Sequence, residues 1–175
     1  MPARAVAEPQ DPIIGPGLCG ASDLVRLKAI RLIDGRLVAL HPPAQVHCAL
    51  AEALTYWVRG DVARAVEMIG GQLAGLGIST SYDCRTRNGV IGAKLSEHAT
   101  GNAIDLDELT LTNGKNLVLT DTSVDNDLRA ELARSACQRF TTVLGPGSDE
   151  YHENNIHLDL LQRRGGYRIC QWEVR

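Results

Sequence analysis

The sequence predicts an α+β domain, with a small and mostly antiparallel sheet flanked by helices. Three observations predict it. Short apolar runs flank Asp34-Gly35 and Asn113-Gly114, dipeptides that favour tight β-hairpin turns. Apolar residues recur at steps of three or four from residue 44 to about residue 69, which is helical spacing. A second helical stretch spans residues 125–140, and short strand-like runs follow it. A chain of 175 residues is expected to form one domain. We place that domain at residues 18–175, behind a leader at residues 1–17.

The elements follow in order. Residues 1–17 are rich in Pro, Ala and Gly and are expected to be mobile. They hold no apolar core of a signal peptide. The start reads as a flexible leader or as the trimmed beginning of a longer chain, so a cytosolic home does not follow. Residues 25–33 and 36–40 form a hairpin about Asp34-Gly35, which His41-Pro42-Pro43 ends. The helix at 44–69 places Val46, Leu50, Leu54, Trp57, Val58, Val62, Val66 and Ile69 on its apolar face, with an interruption near Gly60. Gly70, Gly71, Gly75 and Gly77 punctuate its end. A strand at 78–84, a loop at 85–92, a strand at 103–107 and a hairpin at 109–119 come next. Asp125 caps the second helix, on which Leu128, Leu132 and Cys137 share a side. Residues 141–144, 156–160 and 167–172 are the last expected strands. Internal repeats and low-complexity tracts are absent from the sequence.

Composition excludes several classes. Hydrophobic residues make up 44%, charged residues 22% and aromatic residues 4%, so the core is expected to be Leu, Ile, Val and Ala. The formal net charge of −3 does not suit a nucleic-acid surface. No apolar run is long enough to span a membrane. The cysteines at 19, 48, 84, 137 and 170 are dispersed, without a C-x-x-C pair. That dispersal suits one or two long-range disulfides in an oxidising compartment. The bland alternative is five buried free thiols. Cys19 with Cys48 is the first pair expected, although spacing does not fix connectivity, and the odd count leaves one thiol over.

Chemistry concentrates in two stretches. Ser96-Glu-His98-Ala-Thr-Gly-Asn-Ala-Ile-Asp105 holds a His and an Asp seven residues apart, and His152-Glu-Asn-Asn155-Ile-His157-Leu-Asp159 follows. Imidazole and carboxylate suit zinc, and three protein ligands with an open fourth position are what catalytic zinc needs. His98, Asp105 and His157 are the candidate set. Small residues at Gly101 and Ala103 would let the backbone turn tightly and bring His98 over a strand carrying Asp105. On spacing alone, a chance pairing is the commoner explanation. His41 and His47 have no role in this scheme. Asp159 reads either as the carboxylate that orients a histidine or as a surface charge.

The pattern S-x-H-x-x-G-x-A-x-D is similar to that of the zinc D-alanyl-D-alanine peptidases and penicillin-insensitive murein endopeptidases, a group that also includes lysostaphin-type peptidases and the hedgehog signalling domain. A narrower match is carried by Cys19-Gly-Ala, Ser81-Tyr-Asp-Cys-Arg-Thr-Arg-Asn, Ala93-Lys-Leu-Ser-Glu-His, Arg139-Phe-Thr-Thr-Val-Leu-Gly-Pro-Gly-Ser-Asp, His157-Leu-Asp-Leu and Tyr167-Arg-Ile-Cys-Gln. Together they resemble the bacterial extensin-like C-terminal domain family over nearly the whole chain after Gly17. The resemblance implies a hedgehog or D-Ala-D-Ala peptidase-like fold whose sheet carries the metal site. It also implies a periplasmic or secreted zinc metallopeptidase acting on peptidoglycan peptide stems. Tyr82, Arg85, Arg87 and Ser96 are the implied substrate-binding residues. Arg85, with Arg87, would grip a carboxylate or polarised carbonyl oxygen, and a solvated loop charge is the equal alternative for Arg87.

One position departs from the pattern. In the murein endopeptidases the last motif runs His-x-x-His-x-His, and its middle His is a proton-transfer candidate. Here that middle position is Asn155, and an amide does not shuttle protons near neutral pH. Glu153 or His152 would then take over the proton transfer. The alternative is a catalytically inactive, zinc-containing peptidoglycan-binding domain. A natural loss of activity and an inactivating substitution both fit Asn155, and the bond cut, D,D or L,D, is not legible.

Overall fold

The run Leu24-Val-Arg-Leu-Lys-Ala-Ile-Arg alternates apolar with charged residues, and it forms the strand on which the N-terminal half of the sheet is built. A computed structural model of the chain describes residues 4–174. Its strands are β1 (Ala5–Pro9), β2 (Ile13–Ile14), β3 (Gly20–Ala21), β4 (Leu24–Arg31), β5 (Leu37–His47), β6 (Leu73–Thr80), β7 (Ala103–Leu111), β8 (Asn116–Val118), β9 (Thr142–Leu144), β10 (Ile156–Asp159) and β11 (Ile169–Gln171). Helix α1 (Cys48–Trp57) runs through a π-helical segment (Val58–Val62) into α2 (Ala63–Met68), and α3 (Asn126–Arg139) follows β8.

Among the described residues, nine strands form one mixed sheet in the order β1-β4-β5-β6-β7-β10-β9-β11, with β8 also paired to β7. The β5–β6 and β9–β11 pairs are parallel, and the other pairs in this sheet are antiparallel. This corrects the expected fold class: the chain is mainly β, not a small antiparallel sheet flanked by helices. Three local readings account for the difference. His41-Pro42-Pro43 does not end the hairpin. β5 bulges there, since Leu27 pairs with Ala44 while Ala29 pairs with Ala39, and the strand then continues to His47. Residues 44–47, read as helix, therefore belong to β5. Gly75 and Gly77, read as punctuation, lie inside β6. Gly77 leaves room for Glu108, whose Cγ would sit 2.6 Å from an added Cβ.

The third reading concerns the leader. Ala5–Pro9 pairs antiparallel with β4, and Ala5 is buried, so this part of residues 1–17 belongs to the sheet. Residues 1–3 of the expected leader lie outside the described residues.

The two hairpins form about Asp34-Gly35 and Asn113-Gly114 as expected, with Gly35 and Gly114 at φ +91° and +82°. The expected helix interruption near Gly60 is the π segment. Asp125 caps α3, its Oδ1 accepting from Leu128 N at 2.8 Å.

The helices pack against the sheet, α1 on β4 and β5, α2 on β6 and α3 on β9. Leu50, Leu54, Trp57, Leu132 and Phe140 meet Ile104, Leu106 and Leu158 of the sheet in one apolar core. Trp57 meets Phe140 edge to face at 5.7 Å and donates its Nε1–H to Ser135 Oγ at 2.9 Å. Burying the ring without stranding its N–H requires such an acceptor.

Two disulfides close the periphery, Cys19–Cys84 and Cys137–Cys170, and Cys48 is free and exposed. The expected Cys19–Cys48 pair is thus incorrect. The fold brings Cys84, after β6, to a Cα separation of 5.6 Å from Cys19, whereas Cys48 opens α1. No helix among the described residues is long and apolar enough to cross a membrane.

Candidate metal centre

Each donor of the triad comes from a different element. His98 sits on a 3₁₀ turn, Glu97–Thr100, which Ser96 caps by accepting from His98 N at 3.4 Å. Gly101 ends the turn at φ +72°, where a Cβ would stand 2.5 Å from Leu24 Cδ2. Both the left-handed backbone and the close approach require glycine there. The chain then enters β7, and Ala103 and Asp105 fall on the strand. β10 pairs antiparallel with β7 so that His157 lies opposite Asp105.

These three side chains are buried and meet at one point. His98 Nε2 lies 3.2 Å from Asp105 Oδ1 and 3.2 Å from His157 Nδ1, and His157 Nδ1 lies 2.9 Å from Asp105 Oδ1. Donors spaced tetrahedrally about zinc at ordinary bond lengths would stand about 3.3 Å apart. The triangle fits one face of such a tetrahedron.

The opposite nitrogens decide what those donors carry. His98 Nδ1–H donates to the Ser81 carbonyl oxygen at 2.7 Å. His157 Nε2–H donates to Asp159 Oδ2 at 3.1 Å. The Ser81 carbonyl fixes the His98 N–H outward and turns its Nε2 lone pair inward, whereas His157 has a carboxylate at each ring nitrogen, Asp105 at 2.9 Å and Asp159 at 3.1 Å. These inward atoms, two ring nitrogens and a carboxylate oxygen, repel one another at these distances unless a cation joins them. A proton meets this need in part. Burial alone would push the His157 ring down, but hydrogen bonds to Asp105 and Asp159, with their charges, hold it up at about 9. Burial alone would raise Asp105, yet its close contacts with the His157 and His98 rings keep it well below the usual carboxylate range. Asp159 is also held low, against its burial, by the hydrogen bond from His157. The donor set fits zinc by type, count and spacing.

The two rings open into a cleft of about 210 Å³. One wall is the arm between β6 and β7. Arg87 N donates to Lys94 O at 2.9 Å, Ser96 N to Arg85 O at 3.0 Å, and Asp83 N to His98 O at 3.2 Å. These bonds clip the arm to the His98 turn. Arg85 and Arg87 line the cleft from this arm. Arg85 Nε donates to Asp83 Oδ2 at 2.8 Å, and its Nη2 lies 4.0 Å from Asp105 Oδ2. Ser96 lines the cleft, with its hydroxyl engaged as the cap of the turn. Tyr82 is half-buried and does not line the cleft.

The other wall carries His152, whose ring centroid is 5.5 Å from that of His157. His152 Nδ1 pairs with Asp149 Oδ1 at 2.7 Å. Glu153 and Asn155 do not line the cleft. Glu153 is exposed and accepts from Gly147 N at 3.0 Å, and Asn155 Oδ1 is buried without a hydrogen-bond partner. Of the three proton-transfer candidates, only His152 is beside the triad. Asp149, Thr142 and Arg163 also line the cleft and were not read from the sequence. Asp149 had a usable signal, since it lies three residues before His152. Arg163 had none, because its place depends on strand pairing.

No curated protein and no solved structure matches the chain. A family model described as extensin-like protein C-terminus matches residues 2–171, a span that takes in the whole triad, both walls of the cleft and strands β1 to β11. The chain belongs to the extensin-like protein C-terminal family.

Proposed function

We propose that this chain is a zinc-dependent peptidoglycan hydrolase that cleaves peptide crosslinks of the bacterial cell wall, in the manner of a D,D-endopeptidase. One observation carries the reading. Two imidazole nitrogens and a carboxylate oxygen converge within 3.2 Å, and each distal ring nitrogen meets an oxygen acceptor. The motif around His98 and Asp105, similar to that of zinc D-Ala-D-Ala peptidases, supports the substrate class. The two disulfides support a periplasmic or secreted location.

Zinc held by His98, Asp105 and His157 supplies Lewis-acid polarisation and a source of nucleophilic water near neutral pH. The chain's own groups do the rest. Asp149 holds the Nδ1 side of His152, which leaves Nε2 to take a proton from the attacking water and return it to the leaving amine. Arg85 orients the peptide through its carbonyl or carboxylate oxygens. Ser81 and Asp159 keep the two ligating rings in the correct tautomer.

Digestion of purified sacculi tests this. The zinc-loaded chain is expected to release muropeptides, and a chelator to stop it. Failure of both the chain and its Asn155→His variant to release products would sink the enzymatic reading. The second reading, wall binding without turnover, rests on Asn155. Retention on sacculi without any product is the result that would favour it.

A further inference from the structure

The two acceptors behind the histidine rings differ in what holds them. His98 Nδ1 meets the Ser81 carbonyl oxygen, which the main chain fixes. His157 Nε2 meets Asp159 Oδ2, at the tip of a rotatable side chain. Asp159 is also the last residue of β10, a strand of four residues, and the neighbouring β9 has three. Strand ends open more readily than strand centres. A carboxylate placed there keeps a ring oriented only if the strand end is itself held.

Arg163 supplies that hold. It lies four residues beyond Asp159 in the chain, and its side chain returns to β9. Nη1 donates to Thr141 O at 3.2 Å and Nη2 to Thr142 Oγ1 at 2.8 Å. The same two threonines grip Asp159. Thr141 N and Thr141 Oγ1 donate to Asp159 O at 3.0 and 3.2 Å. Thr142 stands opposite Asp159 in the β9–β10 register, so their side chains share a face, and both residues are buried. Against burial, which would raise it, the Asp159 carboxylate is held low by His157 and then by the Thr142 hydroxyl. Leu161 N donates to the other oxygen, Asp159 Oδ1, at 2.9 Å. A hydroxyl has one proton and two lone pairs. The Arg163 N–H engages a lone pair of Thr142 and leaves its proton for Asp159.

We propose that Arg163 is a positioning residue for His157. Its planar fork staples Thr141 and Thr142 against the end of β10, which keeps the Asp159 carboxylate on the ring and the ring on the metal. This rests on the zinc reading above and is independent of cleavage. A nearby cation that did nothing else would act with the opposite sign, since a positive charge repels zinc and its removal would tighten binding.

The test compares the full chain with its Arg163→Met variant. Zinc affinity, read by competition with a fluorescent chelator, is expected to fall about three- to tenfold, less than loss of the direct partner would cause. Exchange of the imidazole N–H protons with water, read by NMR, separates positioning from general loosening. The His157 Nε2–H should exchange several-fold faster in the variant, while the His98 Nδ1–H, which rests on Ser81, should not change. Thr142→Val should reproduce both effects, and Thr142→Ser should behave as the parent does. Unchanged or tighter zinc binding relative to a zinc-binding parent, or equal acceleration of both ring protons, overturns the proposal. Exchange is measured with zinc and after chelation, so the two readings fail separately. Faster His157 exchange in the chelated variant, with no zinc bound by the parent, keeps the staple and removes the metal. Stoichiometric zinc in the parent with unchanged His157 exchange in the variant keeps the metal and removes the staple.

Discussion

Strands β4 and β10 occupy the same sheet but treat their second face differently. In β4, Leu27 and Ile30 are buried while Arg26 and Arg31 are exposed. In β10 all four residues, Ile156, His157, Leu158 and Asp159, are buried. One face of β10 holds Ile156 and Leu158 in the apolar core. The other is roofed by the His98 turn, and there the sheet buries charge. It does so only with partners, since His157 lies between Asp105 and Asp159. An ionised group deprived of water needs that compensation. Apolar packing therefore lies on one face of β10 and the candidate metal donors on the other.

Substitutions on the two faces should separate cleanly. The largest effect is expected from His98→Ala, which removes one corner of the triad. Elemental analysis should find near-stoichiometric zinc in the parent and almost none in the variant, with sacculus digestion lost. Equal zinc in both would break the assignment of this face. His152→Ala should retain zinc yet lower the cleavage rate by roughly 10²- to 10⁴-fold, the usual contribution of general acid–base help. An unchanged rate would remove His152 from the mechanism.

The core face should respond in the opposite way. Leu158→Ala is expected to cost about 2–5 kcal/mol of stability, read from denaturant melts, with the zinc content of the folded fraction unaltered. On the cleft face, Asp159→Asn should weaken zinc binding by roughly 10- to 100-fold, because it loosens the grip on His157 rather than removing a ligand. A competition titration with a fluorescent chelator reads that loss.

A pH dependence also follows, and its sign comes from His157. Its ring is raised from 6.5 to about 9 in the folded chain. A raised folded value stabilises the fold below the unfolded value, and the contribution is lost as pH climbs through the folded one. The melting temperature of chelator-treated protein should therefore fall between pH 6.5 and about 9. Zinc must displace the same proton, so its apparent affinity should rise by about tenfold per pH unit across that window. A flat affinity would show that His157 holds no such proton.

How much of this was legible depended on whether the signal was local. Asp34-Gly35 and Asn113-Gly114 announce their hairpins because a tight turn is decided by its own two residues. Asp125 announces α3 for the same reason. Pro42-Pro43 misled, because a bulge opposite Lys28 absorbs both prolines and lets β5 resume. Gly75 and Gly77 misled, because both lie inside β6, where Gly77 admits Glu108 of β7 and neither turns the chain. The triad could be read because His98, Gly101, Ala103 and Asp105 are close in sequence and resemble a known pattern. Arg163 and the Cys19–Cys84 bond could not, since both are set by which strands lie side by side.

The His98 turn also has a consequence in time. Asp105 and His157 sit on strands paired to neighbours on both sides, β7 between β6 and β10, and β10 between β7 and β9. Their backbones move only if the sheet parts. His98 rides on a four-residue 3₁₀ turn that is closed by a single left-handed glycine and tied to His47 N through Gly101 O at 2.8 Å. On the proposed metal reading, an ion would enter or leave by movement of that turn, and lengthening the turn would shorten the ion's residence without changing the strands that carry Asp105 and His157.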